Sequence, residues 1–242
     1  PSPIPNGQTT SISTAVSGRI TSIAVHPTNP NIVYIGGAQG GVWRTLDGGV
    51  TWTAIFDDAA SLAVGALALA PSNPSILYVG TGEANLAADS FFGVGLYRID
   101  NADGTPVLRG PFNPTPLTDV IGAKTFTGRS ISKILVDPKD AATIFVATGS
   151  GIGGVGGDAF GASPPVTALR GVYRSTNATS SSPDFSKLTL NNQGSIAPDV
   201  TGNRTINDLV YEPSDTTGNT ILCWQYGSVA TGDGGVWRTV NA

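Results

Sequence analysis

The sequence predicts an all-β chain, a β-propeller of four-stranded antiparallel blades, on three observations. The 242 residues hold 32 Gly and 17 Pro, and only 12% are charged. An average soluble domain has about 7% Gly and 25% charge, so this composition favours short strands and tight turns over helices. A segment Gly-aliphatic-aromatic-Arg recurs four times, as GVWRTLD from 41, GLYRIDN from 95, GVYRSTN from 171 and GVWRTVN from 235, a period near 60 residues with insertions. Ahead of each copy lie an apolar run, a turn at Pro27, Pro71, Pro138 or Pro213, and a second run rich in β-branched and aromatic residues. Four copies of so compound a pattern are an internal repeat.

In the first unit, strand a is expected over Ile20 to Val25, b over Ile32 to Ile35, c over Val42 to Thr45 and d over Thr51 to Ile55. Four antiparallel strands per unit make a propeller blade, with a innermost and most continuously apolar and d outermost and tolerant of polarity. The four units span about 18–57, 60–112, 128–190 and 203–242. The four units read first as a segment of a ring of six or more blades. The alternative is that Thr9 to Val16, which alternates Ser and Thr with Ile and Val, supplies an outer strand that completes the fourth unit and closes a four-bladed ring.

Composition also excludes functions. With 13 Lys and Arg against 17 Asp and Glu the net charge is −4, and no basic run stands out. That removes the electrostatic footprint of nucleic-acid binding. The longest apolar stretch, Leu62 to Ala70, is interrupted by Gly65 and falls well short of the ~20 residues of a membrane span. A single Cys223 rules out an intramolecular disulfide and reads as a buried strand residue. The start at Pro1 suggests a processed or excised piece, and low charge with abundant Ser, Thr, Asn and Gly suggests export from a bacterium.

The turn TLDGGVTW at 45–52 resembles the Asp box, S/T-x-D-x-G-x-T-W, of sialidases, xyloglucan-degrading glycosidases, sortilin-type receptors and photosystem assembly factors. Thr45, Asp47, Gly49, Thr51 and Trp52 fill its specified positions, while Asn101, Asn177 and Asn241 replace Asp47 in the other units. The wider wording, GTGEAN and GVGLYR in 80–98 and GRSISKILVDP at 128–138, resembles bacterial BNR/Asp-box proteins of unassigned activity. The resemblance implies a propeller and a structural role for the box: its carboxylate accepts turn amides, Gly permits the bend and Trp packs beneath.

Blade topology puts the b–c loops and d–a connections on one face. The second and third units have long b–c loops at 80–95 and 149–171, with long connections near 105–128 and 188–203, which points to a binding surface. Arg19, Arg129 and Arg204 are read at one repeat position just before strand a, converging near the channel mouth where guanidinium groups suit a carboxylate or sulfate. Arg44, Arg98, Arg174 and Arg238 follow the strand-c aromatic and read as structural. Phe91, Phe92 and Phe160 on the long loops are candidates for an apolar contact patch.

The catalytic alternative is a sialidase- or xyloglucanase-like glycoside hydrolase. The sialidase Arg-Ile-Pro entry motif is absent. The xyloglucanase resemblance would put an Asp in the first b–c loop, in wording like RTDVGG; here the loop is GGAQGG with Ala38 at that place. Glu83 and Asp89 are the loop carboxylates left, and no catalytic residue is assigned. Asp100 and Asp103 could take calcium, but EF-hand spacing is missing and no metal ligand is assigned. His26 lacks a second His and reads as a turn residue; Asn177-Ala-Thr179 and Asn203-Arg-Thr205 are glycosylation sequons. The expectation is a secreted or cell-surface, non-catalytic interaction or scaffolding module that binds a protein or glycan partner through the long-loop face. Assembly with copies of itself is compatible with that role, and an intracellular assembly factor is the less attractive third reading.

Overall fold

A computed structural model of the chain describes residues 18–85, 90–118, 122–151, 167–188, 204–215, 220–225 and 235–239. These form four antiparallel sheets, and no helix occurs among the described residues. The first sheet runs β1 (Ile20–Val25), β2 (Val33–Gly37), β3 (Val42–Thr45) and β4 (Thr53–Ala54). The second runs β5 (Val64–Ala70), β6 (Asn73–Gly82), β7 (Phe92–Asp100) and β8 (Val107–Phe112). The third runs β9 (Ser130–Val136), β10 (Ile144–Gly149), β11 (Val172–Ser175) and β12 (Ser186–Lys187). The fourth has β13 (Ile206–Tyr211), β14 (Ile221–Gln225) and β15 (Gly235–Thr239). In each sheet the strands lie in chain order, the up-and-down arrangement of a propeller blade.

The sheets pack face to face in succession through their first strands, β1 on β5, β5 on β9 and β9 on β13. Side-chain alternation in β-strands then places one apolar set on each neighbour. In the second sheet Val64, Leu67, Leu77, Val79, Tyr97 and Ile99 join Ala24, Tyr34, Val42 and Phe56 of the first. The opposite set, Ala66, Ala70, Tyr78 and Leu96, packs with Ile131, Ile134, Val146 and Tyr173 of the third. A third core joins Phe145, Ala147 and Val172 to Ile206, Leu209, Ile221 and Cys223. Phe126, fully buried, meets Tyr173 and Phe185 edge to face at 5.8 and 5.0 Å. Cys223 lies in the last core, where burial pushes its thiol up to about 11.

Close approach of the inner strands depends on small residues. A Cβ on Gly36 would lie 2.6 Å from Val64 Cγ1, and one on Gly65 would collide with the carbonyl oxygens of Gly82 and Ile131. Polar pins cross the same seams: Leu67 N–H donates to Ser22 Oγ at 2.9 Å, and Ser132 Oγ donates to the Ile206 carbonyl.

Two of the strand-c arginines, Arg44 and Arg98, are staples between sheets. Arg44 Nη1 donates to the carbonyls of Ala102 and Gly104, both at 2.7 Å. Arg98 Nη1 donates to those of Ala178 and Ser180 at 2.8 and 3.0 Å. Each arginine reaches the same two places in the third-to-fourth-strand turn of the following sheet.

The 45–52 turn holds itself together. Asp47 Oδ1 accepts from Thr45 Oγ1 at 2.8 Å and Thr51 N–H at 2.9 Å, and Oδ2 accepts from Thr51 Oγ1 at 2.6 Å. Gly48 and Gly49 take left-handed φ values of 73° and 98°. Trp52 Nε1 donates to the Gly49 carbonyl at 3.1 Å. In the third sheet Asn177 does the same work, with Oδ1 accepting from Ser175 Oγ at 3.0 Å and Asp184 N–H at 2.9 Å.

The described strands of the fourth sheet pack on the third and do not close onto the first. The expected ring-closing strand at 9–16 lies outside the described residues, as do Asp89, Phe160 and Asn203.

Candidate ligand-binding face

Strand a begins, and strand b ends, at one end of every sheet, so the b–c loops and d–a connections share a face. Their bases are built alike in the second and third sheets. Thr81 Oγ1 donates to the Gly95 carbonyl at 2.6 Å and accepts from Gly95 N–H at 3.0 Å. Thr148 repeats this with Gly171 at 3.1 and 3.0 Å. Both long loops therefore leave from a hydroxyl-clamped neck, which fixes where they emerge.

Glu83, expected as a loop carboxylate, is instead buried, with no exposed side-chain surface, and forms an ion pair with Arg19. Its backbone N–H donates to the Phe91 carbonyl at 2.8 Å. The pair joins the start of β1 to the loop after β6. Neutralised and shielded in this way, Glu83 does not face solvent as a free acid.

Arg129 is also buried and satisfied by its own sheet, donating from Nε to the Ala168 carbonyl at 2.6 Å, from Nη2 to Thr167 Oγ1 at 3.1 Å and from Nη1 to the Ser150 carbonyl at 3.3 Å. Burial, with the nearby Arg170 charge second, lowers its guanidinium to about 10. Arg170 is lowered by burial and then by Arg204, and its Nη1 donates to Thr205 Oγ1 at 3.2 Å. Three cations thus sit in electrostatic succession, Arg129 to Arg170 to Arg204, across the loop face of the third and fourth sheets.

The expectation of one shared repeat position for Arg19, Arg129 and Arg204 is corrected by register. Ile20, Val64, Ile131 and Ile206 are equivalent, lying opposite Gly37, Thr81, Thr148 and Gln225. Arg19 is therefore in register with Ser130 and Thr205, whereas Arg129 and Arg204 stand one residue earlier. Alignment on the Arg letter hid this; counting back from the turn proline gives eight residues for Arg19 and nine for the other two. Arg170 was missed, although it directly precedes the repeated Gly171 at the end of a long loop.

Phe91 is exposed and Phe92 half-buried at the start of β7. Asp100 is held by Arg98 Nε at 2.6 Å and faces Arg109 Nε at 3.4 Å, so arginines occupy the oxygens offered for calcium. No group of three or more His, Cys, Asp or Glu able to hold a metal ion occurs among the described residues. His26 Nδ1 accepts from the Asn29 and Thr28 N–H groups at 3.2 and 3.3 Å, as a turn residue does. No helix of the described residues is long and apolar enough to cross a membrane.

No family profile matches the sequence, and no curated protein matches it in sequence. Solved structures do match in fold. The GH74 enzyme of Niastella koreensis is 18% identical, with a TM-score of 0.57 over 93% of this chain and 30% of that one. The GH74 xyloglucanase of Xanthomonas campestris is 14% identical, with 0.56 over 90% and 28%. An ancestral GH74 enzyme is 14% identical, with 0.53 over 86% and 22%. The chain spans less than a third of the length of these enzymes. At such identity the likeness is one of fold: this is an all-β chain of antiparallel propeller-type sheets.

Proposed function

We propose that the chain is a non-catalytic interaction module, secreted or displayed at a cell surface, that binds a protein or glycan partner carrying carboxylate or sulfate groups through its long-loop face. The observation that carries this reading is the succession Arg129, Arg170 and Arg204 on a face whose buried carboxylate, Glu83, is already neutralised by Arg19. Planar guanidinium forks gathered on one face suit carboxylate and sulfate. Arg170 and Arg204 are half-buried, whereas Arg129 is buried and holds the scaffold. Phe91 adds an exposed apolar surface beside the second loop.

The second reading is a glycoside hydrolase, favoured by the GH74 likeness. Hydrolysis requires two carboxyl groups about 5 or 6.5–9.5 Å apart, one on each side of the scissile bond. Against it stand Ala38 in the first b–c loop and Glu83 sealed under Arg19. The deciding experiment is reducing-end release from xyloglucan by the wild-type chain and by Glu83→Gln. No release from either supports the binding module; release that the substitution abolishes overturns it in favour of the hydrolase.

A further inference from the structure

The covered interfaces between described sheets are built alike. The preceding sheet presents a small residue on its second strand, Gly36, Gly80 or Ala147, and the following sheet lays an apolar residue at the start of its inner strand there, Val64, Ile131 or Ile206. At the first two of these interfaces the preceding sheet also sends the arginine of its third strand, Arg44 or Arg98, to two turn carbonyls of the following one; Arg174 of the third sheet lies over the Phe145 ring instead.

The first sheet carries the receiving half, and no described strand packs on it. Ile20, Ile23 and Val25 are in register with Val64, Leu67 and Leu69 and with Ile131, Ile134 and Val136. Ile131, Ile134, Val64 and Leu67 are all buried, yet Ile20, Ile23 and Val25 are 47%, 62% and 53% exposed. The turn carbonyls corresponding to Ala102 and Gly104 belong here to Gly48 and Val50.

The fourth sheet lacks the donating half. Trp224, 56% exposed, stands where Gly36, Gly80 and Ala147 stand in the other sheets, so an inner strand cannot approach it at the same spacing. Arg238 is turned back onto Glu212 of its own sheet at 2.9 Å.

We propose that the exposed face of β1 is a docking surface for one further blade of the same construction: a four-stranded antiparallel sheet with Gly or Ala on its second strand opposite Ile20, and an Arg on its third strand directed at the Gly48 and Val50 carbonyls. This chain's own fourth sheet is not that blade. The argument is continuity: three interfaces among the described residues share the inner-strand packing and two of them the arginine staple, and β1 repeats the receiving side residue for residue.

The test places a thiol on the surface in the whole chain. In Ile23→Cys, the new thiol labels at the rate of a free cysteine, while buried Cys223 stays protected. In a second version, a copy of residues 60–112, which carries Gly80 and Arg98, is joined ahead of Pro1 through a flexible Gly/Ser linker. Labelling at position 23 is expected to slow at least tenfold there, and to recover when the added copy carries Gly80→Trp and Arg98→Gln. Fast labelling beside the unaltered added blade overturns the proposal. Equal protection by the altered and unaltered blades overturns it too, because the cover would then be any apolar sheet. Slow labelling in the plain chain with a solution mass near twice 24.6 kDa overturns it in favour of a second copy as the occupant.

Discussion

Replacing Arg98 by Met keeps the aliphatic stem and removes only the guanidinium, so it isolates what the staple between the second and third sheets contributes. Three interactions are lost: the bonds to the Ala178 and Ser180 carbonyls at 2.8 and 3.0 Å and the ion pair with Asp100 at 2.6 Å. Hydrogen bonds to a charged group contribute about 1.5–3 kcal/mol each, offset in part by the desolvation of the guanidinium. Ala178 is fully buried, so its carbonyl finds no water in exchange. The expected net loss is about 3–5 kcal/mol, in the range for breaking a buried charge network by removing one partner. Arg109→Met is the internal control, since Arg109 faces the same Asp100 at 3.4 Å from a side chain 55% exposed. Exposed pairs contribute about 0–1 kcal/mol. Urea unfolding reads both variants, with the midpoint shifting and the slope unchanged if only stability has moved. A loss at Arg98 no larger than at Arg109 would refute the staple.

Phe126→Ala removes the ring between Tyr173 and Phe185 and should cost about 3–5 kcal/mol in the same urea assay; a loss below 1 kcal/mol would mean that this core is not formed as described. Hydrogen bonds from Thr51, then Thr45, hold the Asp47 carboxyl at about 2, below its ordinary 3.8. A depressed folded value contributes stability above 3.8 that is lost as pH falls toward 2. Asp47→Asn, which keeps one acceptor as Asn177 does, should flatten that part of the thermal melting profile, and Asp47→Ala should lower Tm without altering affinity for any ligand. Burial raises Tyr34 to about 12 and also raises Tyr78, Tyr97 and Tyr211. Raised folded values contribute stability that is complete below pH 10 and lost as pH rises toward 12, so the phenolate absorbance of these four tyrosines should appear together with unfolding and not before it.

The repeat made the architecture readable, because each Gly-aliphatic-aromatic-Arg copy marks a third strand and each proline a turn between the first and second. The seams themselves, where Gly36 and Gly80 admit the inner strand of the next sheet, emerged only from the packing. What stayed hidden was which partner each charge takes. Nothing in the sequence around Arg98 or Arg129 names the carbonyls that each one meets. The first crosses to the next sheet, whereas the second folds back on Ala168, a choice set by contacts 80 and 39 residues away. Glu83 read as a solvated loop acid because the sequence cannot show that Arg19, in another sheet, covers it. Arg170 escaped notice because it lies outside the repeated strands. The one-residue offset of Arg19 was present in the distance to its proline and went unread because the letters matched.

The most direct test of the binding face is a calorimetric titration of the chain with two anionic probes, a polyuronate oligosaccharide and a polyglutamate peptide, beside neutral xyloglucan oligosaccharide. The account predicts saturable binding of at least one anionic probe, weakened by salt and reduced at least tenfold in Arg170→Gln/Arg204→Gln with the fold intact. Binding of the neutral oligosaccharide alone, indifferent to both substitutions, would contradict it.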